Sequence, residues 1–157
     1  MPASGDDVLE QVYTISSKGE NLVDTLQDLE PYNFILRYPG IHEDFNQMVS
    51  QLKEYNEALD QSPGDISSED QETIKQIYQN LYRNHAEFLR QLKLKKDYFT
   101  GCAPYSQAAL YVLKDYKPII ENWTSSVTAY TPDTADSIGF LKDRLSYFAE
   151  EAVKAFS

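Results

Sequence analysis

The sequence predicts an all-α protein: an antiparallel bundle of five amphipathic helices with room for a central apolar cavity. Three observations point there. Apolar residues recur at spacings of three and four through most of the chain, the period of a helix with one buried face. No segment alternates with period two for long enough to make a strand. The breaks between helical runs are short, which makes consecutive helices largely antiparallel. At 157 residues, with no repeat and no low-complexity tract, the chain reads as a single helical domain over 1–157, with 1–5 a flexible N-terminus.

The stretch from Ser67 to Gly101 organises the rest. It has no Pro or Gly between those ends, and Ile74, Ile77, Leu81, Phe88, Leu92 and Phe99 fall on one stripe, with His85 and Lys95 at the remaining steps. Ser67 or Ser68 is a suitable N-cap, and Glu69 and Asp70 suit the positive end of the helix dipole. Arg90, Lys93, Lys95 and Lys96 suit the other end, and Gly101 offers a C-cap before Pro104. At ~1.5 Å per residue such a helix would span roughly 45 to 50 Å.

The other four helices are placed around it. Helix one runs from Asp6 to Leu29, with Val8, Val12, Ile15, Leu22, Leu26 and Leu29 on one face and Gly19 at the remaining step. A glycine there costs about 1 kcal/mol relative to alanine; it serves close helix packing or leaves room for a ligand. Glu30–Gly40, framed by Pro31 and Pro39, breaks the pattern and reads as a connector over the core, the alternative being a lid. Helix two runs from Ile41 to Asp60 with Ile41, Phe45, Met48, Leu52, Tyr55 and Leu59 inward, and Ser62–Asp65 is a turn. Helix four starts near Pro104, presents Tyr105, Ala109, Val112, Tyr116, Ile119, Trp123, Val127 and Tyr130, and is bent or broken by Pro118. Helix five runs from Asp133 to Phe156 with Ile138, Leu141, Leu145, Phe148, Ala152 and Phe156 inward.

Composition narrows the function. A net charge of −11 argues against nucleic acid and against an anionic membrane surface. No apolar run is long enough for a membrane span, and the first residues lack the basic and apolar regions of a signal peptide. Cys102 is the only cysteine, so no internal disulfide and no thiolate metal cluster can form. Phosphate-loop, zinc-hydrolase and serine-hydrolase motifs are absent, and the Glu-x-x-His pairs of di-iron bundles fail because Tyr82 and Pro39 stand where the glutamates would be. The expectation is a non-enzyme without metal or cofactor. His42 reads as solvated. His85, on the buried stripe, reads as a hydrogen-bonded core residue or as a contact for a ligand head group. Asp6-Asp7, Glu150-Glu151 and the Lys93–Lys96 run read as solvated helix ends and faces. Asn122-Trp123-Thr124 fits the N-glycosylation pattern, which requires Asn122 outward and Trp123 inward.

Several motifs occur in an order similar to that of the fungal cell-wall galactomannoproteins, the family that includes hydrophobic-surface-binding protein A. Leu92-Lys93-Leu94-Lys95-Lys96-Asp97-Tyr98-Phe99 resembles the family's Leu-x-x-Lys-Lys-x-x-Phe. Leu110–Lys114 is similar to its Leu-x-x-Leu-Lys segment. Thr131–Ala135 and Ala149–Ser157 resemble its closing helix, Val8–Leu29 its opening one, and Ile66–Asp70 the start of its third. The chain differs in being rich in tyrosine (12 residues) and in carrying the Pro31–Gly40 insert and Cys102. The resemblance implies a secreted or cell-wall helical domain that adsorbs to hydrophobic surfaces or captures fatty acids in a central cavity. It implies no catalytic residue.

Three functions follow as expectations. The first is a secreted module that binds a fatty acid or similar apolar ligand. Its expected lining is Gly19, Leu22, Ile77, Leu81, His85, Phe88, Val112, Tyr116, Ile119, Trp123, Leu145 and Phe148, each of which is otherwise ordinary core. The second is a surface-interaction protein with a closed core, adsorbing to hydrophobic surfaces or binding a host or cell-wall protein through Tyr32, Phe34, Ile35, Leu36 and Tyr38. The third is an intracellular helical adaptor, favoured by unpaired Cys102.

Overall fold

In the computed structural model, residues 4–59 and 66–157 are described, and among them all regular structure is helical. Helix α1 (Gly5–Gln27) opens with a capping box. The Ser4 hydroxyl accepts from the Asp7 N–H, and the Asp7 carboxylate accepts from the Ser4 N–H. Residues 4 and 5, expected in a flexible N-terminus, are therefore the cap and first residue of a helix. Asp7 is part of this cap, beyond being a solvated charge.

Helix α2 spans Phe34–Ala58, and it corrects the reading of Glu30–Gly40 as a connector. Phe34, Tyr38, Ile41 and Phe45 continue the stripe of fours and threes and are buried. Pro39 sits on the exposed side of the helix, where its missing N–H and its ring meet solvent. The ring of Phe99 packs edge-on against both Phe34 and Tyr38 at 4.7 Å, and against Phe156 at 4.8 Å. This aromatic group closes one end of the bundle and supplies the burial that extends α2 through the proline. The expected turn at Ser62–Asp65 lies outside the described residues.

Helix α3 spans Ser68–Leu94, with the Ser67 hydroxyl accepting from the Asp70 N–H. It ends earlier than expected. A 3₁₀ turn, Lys96–Phe99, follows, and Gly101 then takes a φ of +83°, a conformation that favours glycine. Lys95 is not a solvated end charge as the sequence suggested. Its ammonium donates to the carbonyls of Leu26, Gln27 and Leu29 at 2.7, 3.1 and 2.8 Å, capping the C-terminus of α1. Helix α4 (Ala103–Tyr130) runs unbroken through Pro118, which is exposed like Pro39. Helix α5 spans Ala135–Phe156, beginning two residues later than expected.

Helices consecutive in the chain run antiparallel, but the layers of the bundle are parallel. Ile15 of α1 meets His85 of α3, and Leu26 meets Lys95 at the end of α3, in the same order along the chain. Ser68 meets Asp133 just before α5, and Tyr82 and Lys93 of α3 meet Arg144 and Glu151 of α5. Lys53 and Asn56 of α2 meet Asp115 and Ser126 of α4. Each connection therefore crosses from a layer of α1, α3 and α5 to a layer of α2 and α4. The layers meet closely at their edges, α1 with α2 and α4 with α5. At the middle, α3 stays away from the backbones of α2 and α4, and side chains span the space.

Candidate functional site

The interlayer space is the candidate site, and large side chains fill it. Phe45 of α2 packs edge-on against Phe88 of α3 at 4.9 Å and leans on Tyr116 of α4 at 5.9 Å. Tyr78 of α3 and Trp123 of α4 stack with ring centres 6.5 Å apart. All five rings are buried. Their stripe spacing puts them there, and the distance between the layers calls for side chains of this length.

His85 is the polar centre. Its Nε2 lies 3.0 Å from the Ile15 carbonyl and its Nδ1 lies 2.7 Å from the Tyr116 hydroxyl. A carbonyl can only accept, so Nε2 carries the proton; Nδ1 then accepts from the Tyr116 O–H. This fixes one neutral tautomer. Burial lowers the His85 pKa from its usual value to about 4, opposed by the hydrogen bond to Ile15. Burial likewise raises the Tyr116 hydroxyl well above its usual value. Both ring nitrogens of His85 are engaged, so the ring offers neither a free base nor a ready acid.

Gly19 is what lets the imidazole reach α1. A Cβ at position 19 would lie 2.4 Å from His85 Cδ2 and 2.7 Å from Nε2. The glycine therefore serves close packing. The room once open to a ligand at this step is occupied by the imidazole. Because an α-helix pairs residue 19 with the carbonyl of residue 15, the bare Cα uncovers the very carbonyl that His85 uses.

Three further hydrogen bonds cross the layers. The Trp123 indole N–H donates to the Gln11 side-chain oxygen at 2.9 Å, and the Gln11 amide donates to the Tyr55 carbonyl at 3.4 Å. The Tyr78 and Thr124 hydroxyls lie 2.8 Å apart. Asn122 is exposed while Trp123 and Thr124 are buried, so the glycosylation triplet has its asparagine outward.

Of the expected lining, Gly19, Leu22, Leu81, His85, Phe88, Val112, Tyr116, Trp123 and Leu145 are buried. Ile77, Ile119 and Phe148 are only half-buried, packed against the core. The residues taking the inward steps near Ile77 and Ile119 are Tyr78 and Ile120. A one-residue displacement around a 3.6-residue turn separates core from rim, and Pro118 obscures the register of α4. Phe45, Gln11, Tyr78 and Thr124 were not in the expected lining. Phe45 was legible as an inward residue, Tyr78 lies one step off the stripe through Ile77, and Gln11 and Thr124 carry no apolar signal. His42, read as solvated, is half-buried against Tyr38, with Nδ1 enclosed. Phe34 and Tyr38 are buried, so the exposed apolar surface expected near them reduces to Tyr32, Ile35 and Leu36. Among the described residues no cluster of three or more His, Cys, Asp or Glu could hold a metal, and no helix is long and apolar enough to cross a membrane.

Comparison with known folds adds to this picture. The chain has the fold of fungal lipid-binding domains. It superposes on AFMP4P, solved in complex with palmitic acid, with a TM-score of 0.84 at 15% identity, over 98% of this chain and 100% of that one. It superposes on ligand binding domain 2 of the Penicillium marneffei MP1 protein, in complex with arachidonic acids, with a TM-score of 0.86 at 14% identity, over 100% of this chain and 96% of that one. A second structure of that domain, complexed with multiple arachidonic acids, gives 0.76 at 16% identity, over 97% and 93%. No protein-family model and no curated protein matches the sequence.

Proposed function

We propose that the chain is a non-catalytic binding module of a secreted or cell-wall protein, and that it takes a fatty acid between its two helical layers. The observation that carries this reading is the whole-length likeness in fold to domains solved with palmitic and arachidonic acids. The distance of α3 from the backbones of α2 and α4 supports it, because side chains hold the middle of the bundle and rotamer changes can open it. In this reading the tail lies against Leu22, Leu81, Phe88, Val112, Trp123 and Leu145, with Phe45 as the side chain that must swing aside. Ile77, Ile119 and Phe148 flank the tail. The carboxylate takes the Tyr116 O–H that now serves His85, and Gly19 keeps His85 in place beside it.

Burying about fourteen methylenes contributes roughly 11 kcal/mol at ~0.8 kcal/mol each, and the loss of ligand freedom and the opening of the core offset part of it.

Native mass spectrometry of protein purified from cells, before and after denaturing extraction, tests the proposal. The expected result is a bound mass released as a fatty acid, with a change in the emission of Trp123, the only tryptophan, when acid is returned. A bare chain with silent Trp123 across a fatty-acid series would sink it. The second reading, adsorption or protein binding through the outer surface, would then take over. It is favoured by Tyr32 and Leu36, both 86% exposed beside Ile35 at one end of the bundle.

A further inference from the structure

Among the described residues, the buried polar side chains of the bundle include no Lys, Arg, Asp or Glu. His85 is the one base among them. Lys95, half-buried at the end of α1, is committed to three carbonyls. A fatty acid is an anion at neutral pH. An ionised carboxylate moved from water to neutral partners alone is costly, and such a group gains a proton or a cation instead.

We infer, on the reading that the interlayer space takes a fatty acid, that the acid enters together with one proton, held on His85 Nδ1. The hydrogen bonds around the ring lead there. Nε2 donates to the Ile15 carbonyl at 3.0 Å, and Nδ1 accepts from the Tyr116 O–H at 2.7 Å. A carboxylate that takes the Tyr116 O–H leaves Nδ1 without its donor and facing an anion. Two acceptors then meet with no hydrogen between them. A proton from solvent on Nδ1 resolves this. Nδ1–H and Tyr116 O–H both donate to the carboxylate, while Nε2–H stays on Ile15. One neutral imidazole, one carboxylate and one proton thus become an imidazolium–carboxylate pair with no net charge. Burial holds His85 neutral while it stands alone. An anion at Nδ1 reverses that balance, because opposite charges in contact favour the charged forms.

No other group facing the pair takes up this proton. Helix α4 presents Tyr116 and α3 presents Tyr78, whose hydroxyls burial already keeps protonated. Helix α1 presents the Ile15 carbonyl and α2 the ring of Phe45, neither of which titrates. From α5 the exposed Asp143 carboxylate acts on Tyr78, raising it further. The site therefore distinguishes acids from neutral lipids of the same length: an alcohol or an ester brings no charge and needs no proton.

The test is titration calorimetry of the full chain with dodecanoate, below its aggregation concentration, in buffers of small and large ionisation enthalpy. The heats should differ by the amount that uptake of about one proton requires, and affinity should fall about tenfold per pH unit between about pH 6 and 8. Dodecanol should bind without proton uptake. Nitrogen NMR of the imidazoles should show Nδ1 of His85 gaining a proton when dodecanoate is added, with His42, the other histidine, unchanged. Dodecanoate bound without proton uptake overturns the inference and leaves the interlayer reading standing, with the head group in water at the rim. Uptake with Nδ1 still unprotonated overturns the assignment to His85. If neither ligand binds and Trp123 emission stays silent, the interlayer reading itself falls and the inference falls with it.

Discussion

Gly19→Ala separates two predictions of opposite sign. On helix propensity alone the substitution stabilises, by about 1 kcal/mol. The structure says otherwise, because the new methyl would sit 2.4 Å from His85 Cδ2 and 2.7 Å from Nε2. The ring cannot turn away freely, since both nitrogens are bonded and the residue is fully enclosed. Overpacking costs about 1 to 3 kcal/mol. If the imidazole yields, the Ile15 contact is lost and a buried polar group goes unpaired, at about 1 to 3 kcal/mol. Either cost, at about 2 kcal/mol, less the propensity gain leaves a net loss of about 1 kcal/mol. With a urea dependence of about 2 kcal/mol per molar for a small protein, the unfolding midpoint should drop by roughly 0.5 M. The same substitution in a His85→Ala background should be neutral or stabilising, because the obstacle is gone. A Gly19→Ala chain at least as stable as wild type, or a penalty that survives in the His85→Ala background, would refute the close-packing account.

Stability should also depend on pH through His85. The unfolded histidine titrates near 6.5, while burial holds the folded one at about 4. Between those values the unfolded chain binds the extra proton, so stability falls as pH falls. The contribution is complete above about pH 6.5 and stops changing below about pH 4. At about 1.4 kcal/mol per pH unit, the loss between pH 7 and 5 is roughly 2 kcal/mol. Denaturation curves at the two pH values should show it, and His85→Gln should remove this share. Lys95→Met should leave the carbonyls at the end of α1 without their donor and cost about 2 kcal/mol. Calorimetry should then record a melting temperature lower by about 4 to 8 °C, and an unchanged value would show that the cap contributes nothing.

Most of the architecture was legible in the sequence. Five stripes of fours and threes, with capping residues at Ser67 and Pro104, located five helices to within a few residues except at the start of α2 and the end of α3, where the 3₁₀ turn Lys96–Phe99 takes the place of the last expected turns. The error at the start of α2 has a plain cause: Pro39 is a local signal for a break, whereas Phe34, Tyr38, Ile41 and Phe45 form a stripe that only burial against Phe99 and its neighbours rewards. Lys95 and His85 were visible as steps on a buried stripe, but their partners come from α1, nearly seventy residues away in the chain.

Periodicity by itself determined an all-helical chain with a tyrosine-rich, mostly apolar interior. These are local properties, set by which side chains share a face and what those side chains can bond. The tertiary structure decided how the faces meet: that α1, α3 and α5 lie parallel in one layer, that α2 and α4 form the other, and that rings rather than backbones span the gap. It also decided that Gly19 receives an imidazole. Such relations depend on the offset between helices distant in the chain. A repeat of 3.6 residues says which side of a helix is buried, but not which turn of another helix it will face.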